Sequence, residues 1–112
     1  MGHVIAYAVP VLPGQSDRVR DFGRELSAVR DRYDELNRVA AVSRHVVFLQ
    51  SSPAGDVAIH IMETNDPSRF LRDFDDSAYD RWWLDYMRDV HGVDLRNFEP
   101  PPPPAPVFDS SR

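Results

Sequence analysis

Ser43-Arg44-His45-Val46-Val47-Phe48-Leu49-Gln50, then Ser51-Ser52-Pro53-Ala54-Gly55, then Asp56-Val57-Ala58-Ile59-His60-Ile61-Met62-Glu63-Thr64 is the stretch that decides the fold. The outer runs are dense in valine, isoleucine and phenylalanine. The centre is a serine-proline-glycine turn, so the whole reads as a β-hairpin. Both strands are apolar on both faces, while long helical signals flank them. Two helices can cover only one face of a small sheet, so the other face calls for a partner.

Upstream of the hairpin, His3 to Val11 reads as a first strand that loosens at Pro10, which has no ladder donor. Pro13-Gly14 is a turn, and Ser16 is the expected N-cap of a helix that begins with Asp17. Val19, Phe22, Leu26, Val29, Tyr33 and Leu36 then recur at spacings of 3, 4, 3, 4 and 3, the signature of one amphipathic helix. Its other faces carry arginine, aspartate and glutamate and read as a solvated lace of charge.

Downstream, Asp66-Pro67 opens a short helix carrying Phe70, Leu71 and Phe74. Asp75-Asp76-Ser77 interrupts it and can cap a second segment. There Tyr79, Trp82, Trp83, Tyr86, Met87 and Val90 share one face, and His91-Gly92 supplies the stop. Val93 to Phe98 is a candidate final strand. Pro100 to Pro104 favours polyproline II and cannot enter a sheet, and Val107-Phe108 offers the tail an apolar foothold. The expected organisation is one domain over 1–98 and a proline-rich tail over 99–112.

Composition removes whole classes of chemistry. The 112 residues include no cysteine, which excludes thiolate nucleophiles, disulfides and cysteine-bound metals. All 13 basic residues are arginine, so no lysine can form a Schiff base or act as a general base. The net charge of −5, with acid and base interspersed, argues against a nucleic-acid or anionic-membrane surface. No apolar run approaches the ~20 residues of a membrane span, and the N-terminus lacks a signal-peptide pattern, so a cytoplasmic location is expected.

The order β-α-β-β-α with a final β is the ferredoxin-like α+β order, β-α-β-β-α-β when complete. On His3–Val11, the helix from Asp17, the Val46–Met62 hairpin and the aromatic helix Tyr79–Val90, the chain resembles the dimeric α+β-barrel superfamily of antibiotic-biosynthesis-monooxygenase-like proteins. The likeness covers about 95 of 112 residues and rests on order, length and texture. It implies a homodimer whose two sheets pack face to face, with a small-molecule pocket between sheet and helices in each subunit. About six apolar side chains on the second sheet face would give roughly 9–18 kcal/mol of gross burial, against net stabilities of ~5–15 kcal/mol. Haem-degrading relatives hold iron through a histidine on the later helix. Here only His91 lies near such a place, against the glycine stop, and no cofactor is expected.

The expected site is a pocket between the sheet and helix 78–91, roofed by Trp82, Trp83 and Tyr86, with Phe48 of the hairpin as a further ligand-binding residue. His60, in the middle of a strongly apolar strand, is the expected proton-transfer group. Burial there lowers its pKa and leaves a neutral imidazole. Tyr7 is a secondary hydrogen-bonding group and His45 the reserve. The hairpin's pairing parity decides whether His45 and His60 share a face diagonally or point apart. No third ligand accompanies them, so no metal site is expected. Asp73, Asp75, Asp76 and Asp80 read as capping or solvated residues. No nucleophile elbow or phosphate loop occurs.

Three functions fit these residues. One is a small-molecule enzyme, a cofactor-independent oxygenase, isomerase or cyclase acting on an aromatic or polyketide-like substrate. The others are a non-catalytic binder of apolar or aromatic small molecules, and an interaction module that uses its proline-rich tail.

Overall fold

Strong β-formers on both sides of a tight turn set the sheet of this computed structural model, which describes residues 3–39, 41–65, 77–97 and 106–110. Strands β1 (His3–Pro10), β2 (Val42–Gln50) and β3 (Val57–Thr64) form one antiparallel sheet in the order β1-β3-β2. The β2–β3 turn closes through Gly55 N–H to the Ser52 carbonyl at 3.0 Å, while the Ser52 hydroxyl donates to the Gly55 carbonyl. Gly55 has φ 122°, a conformation that β-carbon sterics make costly for other residues.

Three helices connect β1 to β2: α1 (Ser16–Arg20), α2 (Phe22–Ser27) and α3 (Arg30–Val39). The single expected helix is thus broken at Asp21 and at Ala28–Val29. At the second break Ala28 N–H bonds back to Glu25 and Val29 N–H to Leu26, both i→i−3 closures that tighten the turn. The apolar stripe survives both breaks, because Val19, Phe22 and Leu26 are buried and Val29 and Tyr33 pack against them. Ser16 does not cap. It is the first residue of α1, and its hydroxyl donates to the Asp56 carboxylate beside the hairpin turn.

Helix α4 (Ala78–His91) starts at Ser77, whose hydroxyl accepts the Asp80 N–H as an N-cap. It stops at Gly92, with φ 71°, Gly92 N–H bonding back to the Arg88 carbonyl and Val93 N–H to the Met87 carbonyl. Of the expected strand over 93–98, the described residues 93–97 instead form an irregular segment ending in a turn. There Asp94 accepts from the Arg96 N–H and the Asn97 side chain, a local alternative to a sheet ladder. Phe98, the Asp66–Pro67 cap and the helix carrying Phe70, Leu71 and Phe74 lie outside the described residues.

Side-chain alternation assigns the two faces. Rows Val9–Ala58–Leu49 and Tyr7–His60–Val47 look toward the helices, where the core of Val19, Phe22, Leu26, Ala58, Tyr86, Met87 and Val90 sits. Rows Ala6–Ile61–Val46 and Ala8–Ile59–Phe48 look the other way, and none of these six joins the core cluster. The result is an α+β fold with an open three-stranded sheet. Among the described residues no helix is long and apolar enough to cross a membrane.

Candidate functional site

His60 is the centre of the helix-covered face. It pairs with Tyr7 on one side and Val47 on the other, so His45, two residues before Val47, lies diagonally on the same face. The parity left open by the sequence therefore brings the two histidines together. His45 Nε2 is 3.1 Å from His60 Nδ1, and the other ring nitrogen of His45 lies 2.8 Å from the Tyr33 hydroxyl on α3. The Tyr7 ring stacks on His60 at 4.8 Å and 6°. His60 itself is completely buried, and its Nε2 has no hydrogen-bond partner.

Burial sets the protonation states. It pushes the His60 imidazole down to about 3, with repulsion from His45 and then His91 adding to the effect. Burial also lowers His45. His91 is lowered by burial too, against the opposing hydrogen bond from its Nδ1–H to the Pro10 carbonyl at 2.8 Å. The Tyr7 phenol is raised, by burial first and then by the neighbouring tyrosines. These shifts all favour the uncharged forms of His60, His45 and Tyr7.

Helix α4 contributes Trp82, Trp83 and Tyr86 as the sequence implies, but Phe22 of α2 fills the space beneath them. Its ring centroid lies 5.5–6.3 Å from those of Tyr86, Trp82, Trp83, His45 and His60. This ring occupies part of the space in which the pocket was expected. The Trp82 indole N–H finds its acceptor in Glu25 at 3.1 Å, and the same carboxylate takes Arg18 at 2.7 Å. Glu25 is held below the usual carboxylate range, first by that Arg18 hydrogen bond and less by the indole. Arg18 also lies over the Tyr86 ring at 5.3 Å. Burial and Glu25 raise the Tyr86 phenol to about 12 against the pull of Arg18, and its hydroxyl is buried without a partner.

Tyr7, His45, His60, Trp82, Trp83 and Tyr86 thus lie on the helix-covered side of the sheet, with His45 joining His60 there through the pairing parity. Phe48 does not: it points from the opposite sheet face and is 52% exposed, because it sits one residue out of phase with Val47 and Leu49. Asp80 is buried at the α4 cap, while Asp73, Asp75 and Asp76 lie outside the described residues. Tyr33, Phe22 and Glu25 were read only as stripe or charge lace. Their parts depend on which strand face meets the helices, and helical spacing carries no such information. A groove of about 380 Å³ lined by Arg81, Leu84, Asp85, Arg88, Asp94 and Arg96 involves none of the site residues. Among the described residues no three His, Asp or Glu side chains are placed to hold a metal.

Compared with known proteins, the chain matches no family model, no curated protein and no solved structure.

Proposed function

We propose that the protein is a small-molecule enzyme of the dimeric α+β-barrel kind, in which His60 transfers a proton at an aromatic or polyketide-like substrate. The reaction is that of a cofactor-independent isomerase, cyclase or oxygenase. The observation that carries this reading is the His60 Nε2, a polar atom fully buried among aromatic rings with nothing bonded to it. Native structures leave few such atoms unsatisfied, and a catalytic role is one of the reasons for them. Trp83, at 6.2 Å from His60, and Tyr7, stacked on it, would flank a flat substrate. Phe22 has to swing aside for entry. It is the first residue of α2, directly after the helix break at Asp21 and directly before Gly23.

The subunit carries the β-α-β-β-α part of the ferredoxin-like order, and a homodimer forms through the open face carrying Val46, Phe48, Ile59 and Ile61. A flat apolar sheet face is the surface such a barrel closes over. The second reading is a non-catalytic domain, favoured by the closeness of the Phe22 fill.

Deuterium uptake at the acidic carbon of aryl β-diketones and aryl ketoesters, followed by NMR in heavy water, separates the two. The wild type exchanges these protons faster than buffer, and His60→Gln, folded to the same thermal midpoint, does not. Equal rates in buffer, wild type and variant would end the catalytic reading.

A further inference from the structure

A buried imidazole that resists protonation is a poor place to store a proton. His60 is completely inside, with the half-buried His45 hydrogen-bonded to it and a phenol hydrogen-bonded to His45 in turn. The three groups form a chain, Tyr33 Oη to His45 Nδ1 at 2.8 Å and His45 Nε2 to His60 Nδ1 at 3.1 Å. Each inner member can donate at one nitrogen and accept at the other, so the chain has two uncharged registers. In the first, Tyr33 donates to His45, His45 donates to His60, and His60 Nε2 carries a hydrogen. In the second every bond is reversed, His60 Nε2 is a bare lone pair, and the Tyr33 hydrogen points away.

We infer that Tyr33, His45 and His60 form a neutral proton relay, with Tyr33 as its solvent-side positioning residue and an enolisable carbonyl compound as the substrate served at His60 Nε2. This rests on the catalytic reading of His60 and deepens it. Starting in the first register, the His60 Nε2–H bond breaks and its proton goes to the substrate oxygen or carbon. His60 Nδ1 takes the proton of His45 Nε2, His45 Nδ1 takes that of Tyr33, and Tyr33 takes one from water, so that the enolate form of the substrate loses its negative charge at Nε2 and one hydroxide is left in solvent at the phenol. One proton enters at the phenol and one leaves at Nε2, and no ring becomes an imidazolium. Run backwards, the same steps abstract a proton. Keto–enol interconversion needs both directions at one site, which is what an imidazole with two reversible registers offers.

The surroundings fit a relay that stays uncharged. Phe22 stands edge-on over both histidines at 5.9 Å, and Tyr7 covers the His60 face at 4.8 Å. Burial holds His60 down at about 3, which disfavours the charged alternative. Tyr33 is half-buried on α3, with the Arg30 guanidinium 5.6 Å from its ring centre, whereas His60 is completely buried.

The test uses folded protein with ¹⁵N-labelled histidine and needs no substrate. In the wild type at neutral pH, a scalar coupling between the His45 and His60 nitrogens across their hydrogen bond is expected. His60 Nδ1 and Nε2 shifts should lie between the protonated and bare extremes, from exchange of the two registers. Tyr33→Phe, which removes one hydroxyl, should move the tautomer balance of His60 although residue 33 does not touch that ring. An absent coupling, or His60 shifts identical in Tyr33→Phe and wild type, would overturn the relay. Deuterium uptake by an aryl β-diketone should fall by about 10²-fold in Tyr33→Phe, the scale on which positioned proton transfer acts. If the tautomer shift is seen but no uptake occurs even in the wild type, the relay stands and the catalytic reading fails. If wild-type uptake is catalysed but the tautomer does not move, the relay fails alone.

Discussion

His45 Nε2 and His60 Nδ1 lie 3.1 Å apart, a hydrogen bond between two imidazoles set diagonally across paired strands. One of them must donate and the other accept, so the bond exists only while the accepting nitrogen is free of a proton. Acid therefore attacks the bond and the burial of His60 together.

The pH dependence follows from His60. Its folded pKa is depressed to about 3, well below the ~6.5 of a solvated imidazole, so between these values the unfolded chain binds the extra proton. Stability is fully present above about pH 6.5 and is lost as pH falls toward about 3. The loss is on the order of a few kcal/mol when complete. Urea unfolding at a series of pH values should show this slope in the wild type and a much flatter one in His60→Gln. A wild-type curve flat between about pH 7 and about pH 4 would show that His60 titrates normally.

Phe22 is the common neighbour of five aromatic or imidazole rings and only 8% exposed. Phe22→Ala should destabilise the fold by about 3–5 kcal/mol, through lost burial plus the cavity left behind. Denaturant midpoints at unchanged slope would measure it. A loss under about 1 kcal/mol would mean that the rings collapse freely into the space and are not locked by Phe22.

The hairpin was legible because alternation and turn chemistry act locally: Ser52, Pro53 and Gly55 fix the turn whatever the rest does. The meeting of Tyr7, His60 and the α4 aromatics is long-range, and only the resemblance to a known fold suggested it. The Tyr33–His45 bond was not legible, since it depends on pairing parity and on where α3 lies over β2, both long-range. The helix breaks at Asp21 and Ala28 were hidden because the stripe from Val19 to Tyr33 keeps its phase through them. Phe48 was misplaced because a strand apolar on both sides gives no sign of which side is covered.

Two glycines should respond in opposite directions to alanine. Gly92 has φ 71°, and an added Cβ would meet the Leu12 side chain at 3.4 Å, so Gly92→Ala should cost about 1–2 kcal/mol. Gly23 sits in α2 with nothing within 4 Å of an added Cβ, so Gly23→Ala should stabilise by about 0.5–1 kcal/mol. Thermal unfolding of both variants gives the signs directly. A stabilising Gly92→Ala would contradict the left-handed helix stop. A destabilising Gly23→Ala would show that this glycine is needed for motion or for a close approach.

The open sheet face makes the last prediction. Phe48 is 52% exposed and Val4 47% exposed, and Ile59, Ile61 and Val46 continue the same apolar surface without joining the core. A second copy of the chain can cover this face with the same rows, since a two-fold contact needs only a self-complementary surface. The charged pair of positions at its border, Arg44 opposite Glu63, leaves the centre apolar and the edge polar, as stable interfaces are. Phe48→Asp puts a carboxylate into that centre, where burying it unpaired costs several kcal/mol, while in the monomer the residue stays in water. Light scattering at micromolar concentration should therefore give a dimer for the wild type and a folded monomer for Phe48→Asp. A wild-type monomer would retire the paired-sheet assembly, and a dimeric Phe48→Asp would place the contact on another surface.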